Sequence, residues 1–268
     1  MDPTIIIFLS CMAIGTVVGL LAGMLGIGGG LIIVPALSYL MVHLLPLSAD
    51  TVMPIAVATS LSTIIFTGAS SARAHYKLGN LKKELVVVTG LGITAGAIVG
   101  AQIASHISGH LLKNIFATLV ILIAAQMLFG KREASRFAYT RPILVAAGSI
   151  TGVISALMGI GGGALLVPML IWFQVNMRHA IGCAAISGLF IAIFGTASFV
   201  IAGWNRAGLP DWSIGYVYLP ATFGIVATSM FTANLGAKLG QKTNTRILKM
   251  ILAILLVIVS IRMISGIE

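Results

Sequence analysis

Charge is scarce in this sequence. Only 8% of its 268 residues are Asp, Glu, Lys or Arg, where an ordinary soluble domain carries about 25%. Apolar residues make up 59%, and the mean hydropathy is +1.10. That leaves too little polar surface to cover a globule in water, so the class is an all-α polytopic membrane protein. Cysteine is nearly absent. Cys11 and Cys183 each lie inside an apolar run, which excludes a disulfide scaffold and a cysteine metal site. Acids are few as well: Asp2, Asp50, Glu84, Glu133, Asp211 and Glu268 all fall at segment ends or in loops. A carboxylate proton relay inside the bilayer therefore has no residues to run on. His43, His75, His106, His110 and His179 also sit near segment ends, where interfacial histidines belong. No Ser–His–Asp set, HExxH or Asp-rich constellation is present, so an enzyme is not expected, nor a cofactor or metal. No soluble domain fits between the apolar runs, and no signal-peptide cleavage pattern is evident near the start.

What charge there is leans positive, with 16 Lys plus Arg against 6 acids and a net charge of +10. In a membrane protein this reports loops held on the cytoplasmic side rather than nucleic-acid binding. A spanning helix needs about 20 apolar residues. Six segments meet that simply: 51–72, 84–104, 111–130, 180–203, 213–236 and 247–265. Ile5–Val42 and Pro142–Phe173 are too long, without one charged side chain. As unbroken helices they would extend about 57 and 48 Å, against a hydrocarbon core of about 30 Å. Each must break, and each carries the same interruption, Gly26-Ile27-Gly28-Gly29-Gly30 and Gly159-Ile160-Gly161-Gly162-Gly163, a composition that ends helices.

The interruptions belong to a longer repeat. Gly19–Pro35 (GLLAGMLGIGGGLIIVP) matches Gly152–Pro168 (GVISALMGIGGGALLVP) at a constant offset of 133, that is 152 − 19. Upstream, Gly15, Gly19 and Gly23 match Gly148, Gly152 and Ala156, a small residue every fourth position, as close helix contact in lipid requires. Further on, Leu111-Leu112-Lys113 echoes Ile247-Leu248-Lys249. The chain reads as two copies of one unit. The first repeat is 1–130 (broken helix 5–42 and three spans), a cytoplasmic linker covers 131–141, and the second repeat is 142–268 (broken helix 142–173 and three spans).

The basic residues orient these copies. If both long segments cross once, ten of the 16 positive charges lie inside and six outside. If each enters and returns as a hairpin with its tip at the glycines, only Lys113, Arg206 and Arg262 remain outside, thirteen against three. The positive-inside rule favours hairpins. Both termini are then periplasmic and the halves inverted, the architecture of secondary transporters with broken helices. Trp204, Trp212, Tyr216 and Tyr218 are expected in the outer aromatic belt.

GIGGG is not a dinucleotide loop: the spacing differs from GxGxxG, and neither a strand nor a following acid accompanies it. Two readings remain open for it. Glycine permits a tight crossing of the two hairpins. Alternatively, the half-helices that begin after each break present free N–H groups and positive dipole ends at membrane depth, a site for a small anion. The donors are then Gly28, Gly29 and Gly30 with Gly161, Gly162 and Gly163. Hydroxyls could add to them. Thr59 and Ser60 follow the small residues Ala56 and Ala58, and Ser187 holds the matching place in the second half. Ile186 stands where a second threonine would, so the expected site is asymmetric.

At these GIGGG motifs, each followed by Val-Pro (Val34-Pro35, Val167-Pro168), and at Ala58-Thr59-Ser60, the sequence resembles the TauE/SafE family of bacterial membrane proteins, also described as sulfite exporters. The resemblance covers nearly the whole chain. It implies transport of sulfite, sulfonates or related sulfur oxyanions across the inner membrane, outward in some members and inward in others. The partners expected are a small anionic substrate and the lipid bilayer, not nucleic acid, with a homo-oligomer left open. An anion channel and a structural membrane subunit without transport are the competing readings.

Overall fold

The computed structural model describes residues 3–25, 29–129, 140–242 and 245–265. Gly28 and positions 131–139 of the linker lie outside them. Ten helices are described: α1 (Pro3–Leu25), α2 (Gly30–Leu44), α3 (Ala49–Lys77), α4 (Lys83–His106), α5 (Gly109–Phe129), α6 (Arg141–Met158), α7 (Gly163–Trp172), α8 (Met177–Gly203), α9 (Leu219–Lys242) and α10 (Thr245–Ser265). Among the described residues six of them, α1, α3, α4, α5, α6 and α8, contain stretches long and apolar enough to cross a membrane. Both long charge-free runs are interrupted at their glycines, as α1 and α2 in one and α6 and α7 in the other.

The second break shows its cause. Helix α6 ends at Gly159 in the left-handed region (φ +64°), where the Ile160 N–H returns to the Ser155 carbonyl at 3.0 Å. That closure needs a residue without a Cβ. Gly162 is left-handed as well (φ +69°) and caps the start of α7. Two such turns within four residues redirect the chain without any proline.

One segment departs from expectation. Residues 213–218 do not begin a span. They form a two-stranded antiparallel hairpin, β1 (Ser213–Ile214) and β2 (Val217–Tyr218), pairing Ser213 with Tyr218. Gly215 sits tight on the Val200 backbone at positive φ, and the Leu219 N–H donates to the Trp212 carbonyl at 3.1 Å, so α9 starts only at Leu219. Tyr216 and Tyr218 are consequently buried, each 1% exposed, and cannot join an aromatic belt. Tyr216 packs edge-on against Phe199 at 6.1 Å. Trp204 and Trp212 do stay exposed.

The helices pair in a repeated pattern. The first helix of each copy lies along the third long helix of the other: α1 on α9, and α6 on α4. Glycines make the contact. A Cβ on Gly15 would stand 2.9 Å from Ile225 Cα, and one on Gly100 would stand 2.8 Å from Val153 Cα, so these helices touch backbone to backbone. Partner numbers rise together along both pairs (Gly15 with Ile225, Gly23 with Ala233; Gly92 with Val145, Gly100 with Val153), which makes the pairs parallel. The central α3 and α8 run oppositely, Gly68 meeting Leu189 and Gly195 meeting Leu61. Helix α4 runs with α8, through Thr89–Cys183 at 3.2 Å and Gln102–Ser198 at 2.9 Å. An exposed ion pair, Arg141–Glu84 at 3.0 Å, joins the starts of α6 and α4, a surface contact worth at most about 1 kcal/mol.

Candidate functional site

The two breaks meet at the middle of the fold. Gly30, the first residue of α2, lies so close to the second break that a Cβ there would strike the Gly159 carbonyl oxygen and come within 2.9 Å of Ile160 Cα. Val57 of α3 lies against Gly159, and Gly188 of α8 against the Gly161 carbonyl. Val57 lies in the continuously buried stretch 52–64 of α3 and Gly188 near the middle of α8, so the breaks meet where these helices are enclosed.

Of the candidate residues, Gly29, Gly30, Gly161, Gly162, Gly163 and Ser60 come together around this contact. Ser60 is fully buried and its hydroxyl donates to the Gly159 carbonyl at 2.7 Å. A bond across 99 residues of sequence thereby holds the left-handed turn that ends α6. Thr59, also fully buried, faces elsewhere: its hydroxyl oxygen accepts from the Tyr218 N–H at 3.0 Å and secures the β-hairpin to α3. Beneath it Ser62 and Thr222 join hydroxyls at 2.7 Å. Ser187 is buried, its hydroxyl 4.0 Å from the Cys183 sulfur on its own helix. In this arrangement the Ser60 and Thr59 hydroxyls serve the backbone.

The electrostatics come from helix ends rather than side-chain charge. Helix α7 begins at Gly163, and its positive end points into the break. The Leu165 and Leu166 N–H groups return to the Gly162 carbonyl. The N–H groups of Gly161, Gly162 and Ala164 have no acceptor among the described residues. Among those residues no three His, Cys, Asp or Glu side chains gather as a metal site would need.

Sequence reasoning passed over two residues of this region, Thr151 and Ser155 on α6. Both are buried, and Ser155 Oγ has no hydrogen-bond partner among the described residues. The signal was present in the repeat: at the same offset of 133 they correspond to Val18 and Ala22, so hydroxyls stand in one copy where the other is apolar.

A multi-pass helical bundle whose broken helices meet inside it has the architecture of membrane transporters. The family model described as "Sulfite exporter TauE/SafE" matches residues 11–263, and the chain belongs to that family. A "Probable membrane transporter protein" of Haemophilus influenzae is 37% identical over 257 residues, covering 95% of this chain and 97% of the relative. YunE of Bacillus subtilis, given the same name, is 26% identical, covering 96% and 97%. MJ0441 of Methanocaldococcus jannaschii, again so named, is 26% identical, covering 91% and 90%. No solved structure matches the chain. These names describe transport rather than catalysis, and with bacterial relatives of this kind the chain is a multi-pass inner-membrane protein.

Proposed function

We propose that the chain is a secondary carrier for a small sulfur-containing oxyanion, such as sulfite or a sulfonate. The anion binds near the bilayer midplane between the half-helix starts that follow the two glycine motifs (Gly28, Gly29 and Gly30; Gly161, Gly162 and Gly163), with Ser60 and Ser187 beside it; Thr59, taken by the Tyr218 N–H, is not among its donors. The observation that carries this reading is the meeting of the two breaks: non-helical backbone at membrane depth is tolerated where it lines a protein-enclosed site, and here two such stretches adjoin at Gly30 and Gly159. The repeats are inverted in this proposal, residues 1–130 against 142–268, with both termini periplasmic. The antiparallel course of α3 and α8, with the parallel course of α4 and α8, supports that orientation, since eight simple crossings would reverse both relations.

A structural role without transport draws support from Ser60 and Thr59, whose hydroxyls already serve the backbone. One assay separates the readings. Purified protein in liposomes, offered radiolabelled sulfite, thiosulfate, sulfate and an organosulfonate, should take up at least one of them with saturation and with stimulation by unlabelled anion on the far side. Flux that rises linearly with concentration and shows no such exchange would make it a channel. No flux of any of the four would leave a structural subunit.

A further inference from the structure

We infer that the two breaks are not equivalent and that a single oxyanion site is built at the second one, with the Ser155 hydroxyl as its side-chain donor. This rests on the transport reading above and narrows it to one half of the molecule. At the start of α7, Gly162 takes a left-handed conformation, and the N–H groups of Gly161, Gly162 and Ala164 are without acceptors among the described residues. Ser155 Oγ, on the last turn of α6, stands 3.5 Å from where a Cβ on Gly162 would be. It is fully buried, and it ignores the carbonyl one turn back that a buried helical serine normally takes. A buried hydroxyl without a partner is costly, and this one stands beside Gly162, in the turn that carries the three free backbone donors. One movable group crowds the position: a Cβ at 162 would stand 2.6 Å from Ile191 Cδ1, the end of a flexible side chain, and 3.5 Å from Ser155 Oγ, so Ile191 must turn aside for an anion to enter.

At the first break the matching positions on α1 are apolar. Ser155 corresponds to Ala22 and Thr151 to Val18 at the repeat offset. Val18 Cγ1 fills the place beside Gly29 where a Cβ would project, whereas Thr151 turns only a methyl towards Gly162, at 3.9 Å, and directs its hydroxyl to the Met169 sulfur. Gly29 itself has ordinary right-handed geometry, with φ −74°. So among the described residues the neighbours of Gly162 include a free hydroxyl and free N–H groups, whereas those of Gly29 are apolar, Val18 and Ile33. A carrier with one such site binds one oxyanion, presented on α6 and α7 of the second half, while the first half supplies the surface that closes on it through Gly30.

The test is equilibrium binding of radiolabelled sulfite to the purified full chain in detergent, with thiosulfate and sulfate as further probes. The wild type should bind one anion per chain. Ser155→Ala should lower affinity by roughly 10- to 150-fold, the value of a hydrogen bond to a charged group, while its melting temperature without anion stays level or rises, since an unpartnered hydroxyl has been removed. Val18→Thr and Ala22→Ser, the mirror changes, should leave affinity within about twofold. Unchanged affinity in Ser155→Ala, with wild-type binding intact, would overturn this proposal alone and mean that the hydroxyl meets only water. Two anions per chain, or equal losses from Val18→Thr, would overturn the one-sided site. If the wild type binds none of the probes, the transport reading falls and this proposal with it.

Discussion

Gly30→Ala is the sharpest test of how the two halves meet. The residue opens α2 with its φ in the ordinary range, so nothing in its own conformation demands glycine, and alanine is the better helix former by up to about 1 kcal/mol. Local preference therefore predicts a gain. The surroundings predict the reverse. The added methyl would strike the Gly159 carbonyl oxygen and stand 2.9 Å from Ile160 Cα and 3.0 Å from Ile160 Cγ2. Two of these neighbours are backbone, and the carbonyl is held by Ser60 at 2.7 Å, so the obstacle is not a side chain that can rotate away. Overpacking of this kind costs about 1–3 kcal/mol, and a rigid backbone obstacle belongs at the upper end. The net expectation is a loss of about 2 kcal/mol, or roughly 4–8 °C in melting temperature for a chain of this size, read by thermal unfolding of the purified protein. Gly68→Ala supplies the contrast. Its methyl would find neighbours at 3.6–3.7 Å, ordinary contact, so that variant should melt at or above the wild type. If Gly30→Ala melts no lower than Gly68→Ala, the breaks do not touch as described, and both the packing account and the central site lose their footing.

Ser60→Ala should also lower the melting temperature, by about 1–3 kcal/mol in stability, because it strands a buried carbonyl. A variant that melts like the wild type would show that Gly159 finds another donor. Cysteine labelling in intact cells should find both termini periplasmic and the stretches Lys131–Arg141 and Lys238–Lys249 cytoplasmic. Cys11 and Cys183 should stay silent because both are buried, and termini on the same side as Lys131 would refute the inverted arrangement. Asp50→Asn should leave transport intact: Asp50 Oδ1 accepts from the His110 N–H at 3.3 Å in an exposed setting, and abolished flux with normal expression would reveal a coupling site there.

Both breaks were legible because a charge-free run longer than the bilayer is a geometric contradiction that a glycine break resolves, and the long apolar helices α3, α4, α5 and α8 were legible from their length. The packing stripe was legible too, since Gly15, Gly19 and Gly23 recur at the interval that faces a neighbouring helix. What composition concealed was direction. The apolar stretch 213–218 reads as the start of a span, yet Gly215 at φ +55° turns it into a hairpin, and a hydropathy average does not register handedness. Thr59 and Ser60 were recognised as unusual but their partners were not. Tyr218 is 159 residues from Thr59 and Gly159 is 99 from Ser60, and no local pattern encodes such pairings. Ser155 was hidden differently. It is an ordinary serine in an apolar helix, and its interest emerges only once the glycine turn places it beside Gly162.

The same comparison explains why a duplicated fold need not work as two equal halves. Duplication supplies the scaffold twice: α1 on α9 and α6 on α4, each pair in contact through glycines. The differences lie where the copies meet. Among the described residues the second half alone carries such a hairpin, 213–218, tied to α3 by Tyr218 and Thr59, and it has hydroxyls at 151 and 155 where the first half has Val18 and Ala22. Of the bonds between the halves, the two at the centre, Ser60 to Gly159 and Tyr218 to Thr59, are neutral hydrogen bonds, each worth about 1 kcal/mol net. On the carrier reading that weakness is useful. A protein that must pass between two states of similar energy cannot lock its moving contact with ion pairs, whereas contacts of this size can be exchanged as an anion binds or leaves. On that reading the scarcity of charge has a second consequence beyond solubility in lipid: the Arg141–Glu84 pair between the halves is exposed at the helix starts, so no ion pair among the described residues locks the centre, and α7's free N–H groups would be the anion's principal attraction.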